Sequence, residues 1–136
     1  MRTLFISIFS CLLLISCGNK NHKKETEQTV NDDPTVYVYY FHTKQRCSAC
    51  IAVENVTKQT VTDNYAENSN VKYVEVNIDD AKDEPLIEKY RVAWYTLIIT
   101  KGDIRVNITN DAFAWAENSP EALTEQITTE VNRFLE

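Results

Sequence analysis

Residues 36–50 read VYVYYFHTKQRCSAC and carry the strongest structural signal in the chain. Residues 36–41 form a continuous run of β-branched and aromatic side chains, which is typical of a strand buried on both faces of a sheet. Two cysteines, Cys47 and Cys50, follow the run with two residues between them. We therefore predict a central strand that leads into a cysteine pair.

A helix of about five turns is predicted directly after the pair, because apolar side chains recur there at helical spacing. Asn68-Ser69-Asn70 marks its end. At the start of such a helix, unpaired backbone N–H groups and the macrodipole favour a thiolate. Arg46 adds a positive charge directly before Cys47. We infer that Cys47 is the nucleophile, with a depressed pKa, and that Cys50, one turn deeper, is the resolving thiol.

The rest of the chain continues the alternation of strands and helices. Its pattern predicts the element order β, α, β, α, β, β, α. The later elements are a strand at 71–78, a short helix at 84–90, a hairpin of strands 96–100 and 104–108, and a last helix that Ser119 can cap and Pro120 can begin.

This order, with Cys-x-x-Cys at a helix start, resembles the thioredoxin superfamily over residues 36–136. Four segments carry the resemblance: 39–50, the strand 74–79, the helix exit Tyr90-Arg91-Val92, and the hairpin 96–103. It implies an α/β, thioredoxin-like fold with a central mixed sheet of about four strands flanked by helices. The chain looks like a member of the exported, membrane-tethered branch.

The active-site region departs from the family pattern in three places. The dipeptide between the cysteines is Ser-Ala instead of Gly-Pro, and Arg46 occupies the place of a Trp. The buried acid of the preceding strand has no counterpart among residues 39–41. The cis-proline before Thr is replaced by Tyr95, which precedes Thr96. A trans Tyr95 is expected, since a non-proline cis bond costs about 2.5–4 kcal/mol.

A fourth departure is an insertion, residues 110–119, between the hairpin and the last helix. It contains Phe113 and Trp115. These aromatic side chains fit two interpretations: they attach the insertion to the core, which is the favoured one, or they form a docking patch.

The N-terminal segment predicts export and lipidation. Residues 1–16 consist of one basic residue and a short apolar run, as in a secretory signal peptide, and the run is too short to span a bilayer. Leu14-Ile15-Ser16-Cys17 looks like the lipobox of bacterial lipoproteins, which implies cleavage before Cys17 and its acylation. Residues 17–33 read as a flexible polar tether, and residues 34–136 as the folded domain.

The cysteine count leaves one pair for chemistry. The chain has 4 cysteines, of which Cys11 lies in the predicted signal and Cys17 would carry lipid. Export would place Cys47 and Cys50 where disulfides persist. A bridge across two residues gains little chain-entropy stabilisation, so a reversible disulfide explains the pair better than a structural one. Metal binding and an inert bridge are the open alternatives.

Composition excludes several classes of protein. A length of 136 residues supports one domain, and a hydrophobic content of 43% excludes whole-chain disorder. The chain carries 14 Lys plus Arg against 20 Asp plus Glu. The net charge of −6 argues against a nucleic-acid partner, because phosphate contacts need a basic face.

Four residues are predicted to support the cysteines. Arg46 would influence their pKa, and His42 either moves a proton or stabilises a thiolate, or is only a hydrogen-bonding surface residue. Tyr95 and Thr96 follow Trp94 at the family's cis-proline site, where the Tyr95 ring faces the sulfurs or simply packs.

These observations predict a thiol–disulfide oxidoreductase at the bacterial cell envelope, anchored by lipid and facing the periplasm or the outside. Its expected partners are protein thiols or disulfides, an electron donor and the membrane. The family resemblance slightly favours the reductase direction. We expect a monomer with no cofactor and no resident metal. The alternatives are a metal-binding module for copper, zinc or an iron–sulfur cluster, and a redox-inactive interaction domain that docks through Phe113 and Trp115.

Overall fold

The computed structural model describes residues 33–136, whose sheet is built around the apolar strand β1 (Val36–His42). β1 pairs in parallel with β2 (Val71–Asn77) and antiparallel with β3 (Thr96–Lys101), and β3 pairs antiparallel with β4 (Ile104–Asn107). The strand order is β2-β1-β3-β4. The predicted central position of residues 36–41 and the mixed four-stranded sheet are confirmed.

In the described part of the chain, residues 33–136, four α-helices accompany the sheet. Helix α1 (Ser48–Tyr65) follows the cysteine pair, and its 18 residues give the predicted five turns. The others are α2 (Glu84–Tyr90), which follows a 3₁₀ turn at Ala81–Asp83, α3 (Thr109–Trp115) and α4 (Pro120–Leu135). Within residues 33–136, none of the helices has the length and apolar character needed to cross a membrane.

The two faces of β1 bury separate apolar clusters, which explains the unbroken apolar run in its sequence. Val36, Val38 and Tyr40 point to one face, where they pack with side chains of α1, α3 and α4. Tyr39 and Phe41 point to the other face, toward Tyr90 of α2. Because both faces are covered, packing fixes the position of β1, and the loop after β1 leads to the start of α1 at the end of the sheet.

Two predictions about the C-terminal part were wrong. The insertion 110–119 is largely helical, since α3 occupies residues 109–115 and adds a helix to the predicted order. Its seven residues bury only one small side chain, Ala112, so it shows no helical periodicity that a sequence pattern would reveal. Ser119 precedes Pro120 as expected, but its side chain makes no capping hydrogen bond.

The aromatic residues of the insertion do attach α3 to the core. Phe113 and Trp115 are half-buried and pack against the cluster on the α1 and α4 side of the sheet. The predicted signal peptide 1–16, the lipidation site Cys17 and residues 17–32 of the tether lie outside the described residues.

Candidate active site

Cys47 and Cys50 are joined by a disulfide at the start of α1, with their Cα atoms 5.0 Å apart. Cys47 is the N-cap residue, and its Sγ accepts a hydrogen bond from the Cys50 backbone N–H at 3.1 Å. The two sulfurs differ sharply in environment, because Cys47 is exposed whereas Cys50 is only 1% exposed. A substrate therefore has access to Cys47 first.

A hydrogen bond from Tyr40 of β1 fixes the first turn of α1. The Tyr40 hydroxyl donates a buried hydrogen bond to the Cys50 carbonyl oxygen at 2.9 Å. Burial raises the pKa of Tyr40 to about 12, so the phenol stays a neutral donor over the physiological range. Tyr40 could not be distinguished by sequence from the other apolar residues of the strand, because its role depends on how α1 packs on β1.

Buried tyrosines predict a loss of stability at alkaline pH. Burial raises the pKa of Tyr39, Tyr40, Tyr65 and Tyr73. In the unfolded chain these phenols ionise near pH 10. The stabilisation that comes from keeping these phenols neutral is therefore fully present below pH 10. The part that Tyr40 contributes is lost between pH 10 and about 12. We expect the free energy of unfolding in urea to fall across this window, with Tyr40 contributing on the order of 1–2 kcal/mol.

Tyr40→Phe is the matched control for this alkaline effect. It removes the titration at the cost of one hydrogen bond, about 1 kcal/mol at every pH. The variant should lose less stability than the native chain between pH 8 and 11.5. Equal losses in the two proteins would contradict the assignment to Tyr40.

Arg46 lies beside Cys47, but its guanidinium is bound by two carboxylates. Nη2 contacts Glu54 of α1, and Nη1 lies 3.5 Å from Glu75 Oε1 of β2. The position of Arg46 next to Cys47 was predictable from the sequence. Its contacts with Glu54 and Glu75 were not. Glu54 and Glu75 come from different elements, and only the packing of α1 on β2 brings them to one guanidinium.

His42 is buried at the end of β1, so the alternative that places it at the surface does not hold. Its Nε2 lies 2.8 Å from Glu75 Oε1, and its Nδ1 lies 2.8 Å from the Thr43 carbonyl oxygen. Both ring nitrogens are therefore within hydrogen-bond distance of an oxygen atom.

Tyr95 fixes the loop that leads to Cys47. Its hydroxyl donates to the Gln45 carbonyl oxygen and lies 2.7 Å from Thr43 Oγ1. From the other side, Asp79 accepts a hydrogen bond from the Lys44 backbone N–H at 2.7 Å. Tyr95, which stands where the resemblance would place a cis-proline, thus holds the loop by its side chain. Its neighbour Thr96 begins β3 and donates from Oγ1 to the Trp94 carbonyl oxygen at 2.9 Å.

A groove of about 890 Å³ opens beside the disulfide. One wall is aromatic: Trp94 is 67% exposed, its ring meets Tyr95 edge-on at 5.2 Å, and Tyr95 lies 6.1 Å from Phe113 of α3. The groove brings together the predicted Cys47, Cys50, Arg46 and Tyr95. The remaining lining residues are Gln45, Trp94, Thr109, Asn110 and Phe113.

Thr109 and Asn110 were not predicted as site residues, because no helix was predicted at 109–115. Thr109 lines the groove, and its Oγ1 accepts a hydrogen bond from the Leu97 backbone N–H at 2.9 Å. That bond ties the start of α3 to β3. His42 and Thr96 do not line the groove.

The described residues offer no complete metal site. Between residues 33 and 136, no three side chains of His, Cys, Asp or Glu are grouped so that they could hold an ion together. A metal on Cys47 and Cys50 would need further ligands from outside the described residues, since both ring nitrogens of His42 already contact Glu75 and Thr43.

No family model matches the sequence, and no curated protein is significantly similar to it. Solved structures do match. Zinc-bound human ERp44 superposes with a TM-score of 0.52 at 13% identity, over 71% of this chain and 27% of its own. The chain thus spans about a quarter of ERp44.

Two further solved structures are similar to the chain. The germline-specific thioredoxin Deadhead from Drosophila melanogaster gives a TM-score of 0.49 at 20% identity, over 72% of this chain and 83% of its own. Trxlp from Edwardsiella tarda gives a TM-score of 0.45 at 19% identity, over 71% of this chain and 84% of its own. The predicted thioredoxin-like α/β fold is confirmed. At these identities the likeness shows the fold alone.

Proposed function

We propose that this protein is an exported, membrane-anchored thiol–disulfide oxidoreductase that acts on protein disulfides or thiols through Cys47 and Cys50. The unequal exposure of the two sulfurs carries the proposal. Cys47 lies in an open groove at a helix N-terminus, where the helix favours a thiolate, whereas Cys50 is buried one turn deeper. Attack by Cys47 followed by resolution by Cys50 fits this arrangement.

In the reductase direction, the Cys47 thiolate attacks one sulfur of a substrate disulfide. The substrate S–S bond breaks, a mixed disulfide with Cys47 forms, and the first substrate thiolate leaves. Cys50 then loses its proton and attacks the Cys47 sulfur, which forms the Cys47–Cys50 disulfide and releases the second substrate thiolate. The substrate gains two electrons and two protons. A dithiol donor must reduce the pair again before the next cycle.

The groove supports a protein as the substrate. Trp94, Tyr95 and Phe113 line it, and Ile51, on the turn of α1 that also holds Cys50, is 45% exposed. Exposed aromatic and aliphatic groups beside a reactive sulfur suit a polypeptide segment with apolar side chains near its cysteine.

Export and anchoring are supported by the sequence of residues 1–17, which has the pattern of a lipoprotein signal followed by Cys17. An anchored protein of this kind would face the periplasm or the outside of a bacterial envelope and would receive electrons from a membrane or soluble donor. The reductase direction is favoured only because exported reductases of the resembling superfamily are often tethered. We further propose that the domain acts as a monomer.

Trapping tests this function. Cys50→Ser is expected to accumulate mixed disulfides on Cys47 with substrate proteins, because the resolving thiol is missing. Non-reducing gels and mass spectrometry of the adducts measure the effect, and the adducts should disappear with reductant.

Cys47→Ser is the control for trapping, since within residues 33–136 it leaves only the buried Cys50 sulfur, and the domain should accumulate no adducts. A Cys50→Ser protein that forms no mixed disulfides and holds metal in native mass spectra would favour the metal-binding alternative. Absence of both adducts and metal would favour the interaction domain.

A further inference from the structure

Arg46, Glu54, Glu75 and His42 form one cluster, here called the Arg46 network, which reaches the groove through Arg46. Arg46 contacts Glu54 through Nη2 and lies 3.5 Å from Glu75 through Nη1. Glu75 Oε1 in turn lies 2.8 Å from His42 Nε2, and Arg46 Nη1 lies 3.4 Å from His42 Nδ1. The Arg46 side chain is 23% exposed and that of Glu54 is 19% exposed, so solvent screens this ion pair only partly.

The pleat of the sheet and the start of α1 assemble this cluster. Tyr40 of β1 lies opposite Glu75 of β2, and His42 shares the face of Tyr40 because side chains alternate along a strand. Glu54 lies one turn beyond Cys50 on α1, and helix side chains lean toward the N-terminus, which is the end where Arg46 enters. The three elements therefore converge at the residue before the nucleophile.

The charge balance of the Arg46 network differs from that of a free cation. One guanidinium faces two carboxylates, so the sum is −1 when His42 is neutral and zero when it is protonated. Of the described residues, Arg46 is the sole charged one that lines the groove. No other charge in the lining compensates for the two carboxylates.

We propose that Glu54 and Glu75 set the reactivity of Cys47 by neutralising Arg46. This rests on the proposed function, because it assigns Cys47 the role of nucleophile. A free cation beside a thiolate lowers its pKa, whereas a cation bound by two carboxylates exerts little net field on the sulfur. The Cys47 thiolate then depends mainly on the N-terminus of α1. Glu54 and Glu75 are positioning residues: they act through Arg46.

The pH dependence of Cys47 alkylation tests the proposal. The reduced full-length protein is treated with iodoacetamide across pH 4–10, and the modified Cys47 peptide is quantified by mass spectrometry. Glu54→Gln is expected to lower the alkylation midpoint by about 0.5–1 pH unit, because it frees the cation and removes a nearby negative charge. Glu75→Gln should shift it in the same direction by less, because its contact with Arg46 is longer and its side chain more exposed.

Arg46→Gln is expected to shift the midpoint upward, since two carboxylates would then face the sulfur without a counter-ion. The double variant Arg46→Gln/Glu54→Gln should lie between the two single variants. The matched control is Asp63→Asn, which removes one carboxylate from the exposed far part of α1 and should leave the midpoint unchanged.

Opposite shifts for the glutamates and for Arg46 support the proposal. Midpoints equal to that of the native protein in both Glu→Gln variants would overturn it, even if thermal stability fell, because a merely structural role changes stability without moving the titration. Should Glu54→Gln fail to fold, the more exposed Glu75→Gln decides alone. The readout needs no substrate, so a protein with these shifts that traps no partner would lose the proposed function and keep this inference.

Discussion

Cys47→Ser is expected to abolish disulfide exchange, with a loss of roughly a thousandfold or more in the rate of substrate reduction. A serine hydroxyl is not ionised near neutral pH and cannot form the mixed disulfide. Cys50 cannot take over, because this residue is only 1% exposed and is buried in the first turn of α1. The rate of reduction of a disulfide-bonded test protein, with dithiothreitol as donor, measures the effect.

The matched control for this loss is Ser48→Ala, which changes a hydroxyl at the adjacent exposed position. It should retain activity within a few fold, because its side chain makes no hydrogen bond among the described residues. Substantial activity in Cys47→Ser would mean that Cys50 is the attacking sulfur and that the exposure of Cys47 in the groove has no catalytic meaning.

Leu97→Ala is expected to cost about 3–4 kcal/mol of folding free energy, the second large effect. Leu97 is fully buried on β3, opposite Tyr40 of the central strand. Removing three carbons there leaves a cavity between the sheet and the helices that cover it. Since domains of this size are stable by only about 5–15 kcal/mol, urea unfolding should show a much lower midpoint with an unchanged slope.

Ile104→Ala on β4 provides the control for this truncation, since the Ile104 side chain is 65% exposed. It should cost less than about 1 kcal/mol. Similar losses for the two variants would show that the cluster around Leu97 does not dominate the stability of the fold.

The elements that bury continuous or regularly spaced apolar side chains were predictable from the sequence. Residues 36–41 identified the central strand because both faces of β1 are covered. Helix α4 was predictable because apolar residues recur at every fourth position, at Leu123, Ile127 and Val131. Each of these three side chains is fully buried. The helix start at the cysteine pair was predictable as well, from spacing and from the family resemblance.

Features that depend on contacts distant in sequence were not predictable. Helix α3 has seven residues and one buried side chain, so its periodicity is too weak to detect. The pairing of Arg46 with Glu75 joins residues far apart in the chain and requires the packing of α1 on β2. The same holds for Tyr95 and Gln45, which only the three-dimensional approach of two loops brings together.

The direction of β1 has a consequence for how the protein would meet its partners. Its first residue, Val36, adjoins the end of the chain that leads to Cys17, and its last residue, His42, leads to the cysteine pair. Seven residues of strand span roughly 23 Å. If Cys17 carries lipid, the tether joins the domain at the end of β1 opposite the cysteine pair. The predicted polar tether would then have to let the domain turn before a partner embedded in the bilayer could touch Cys47.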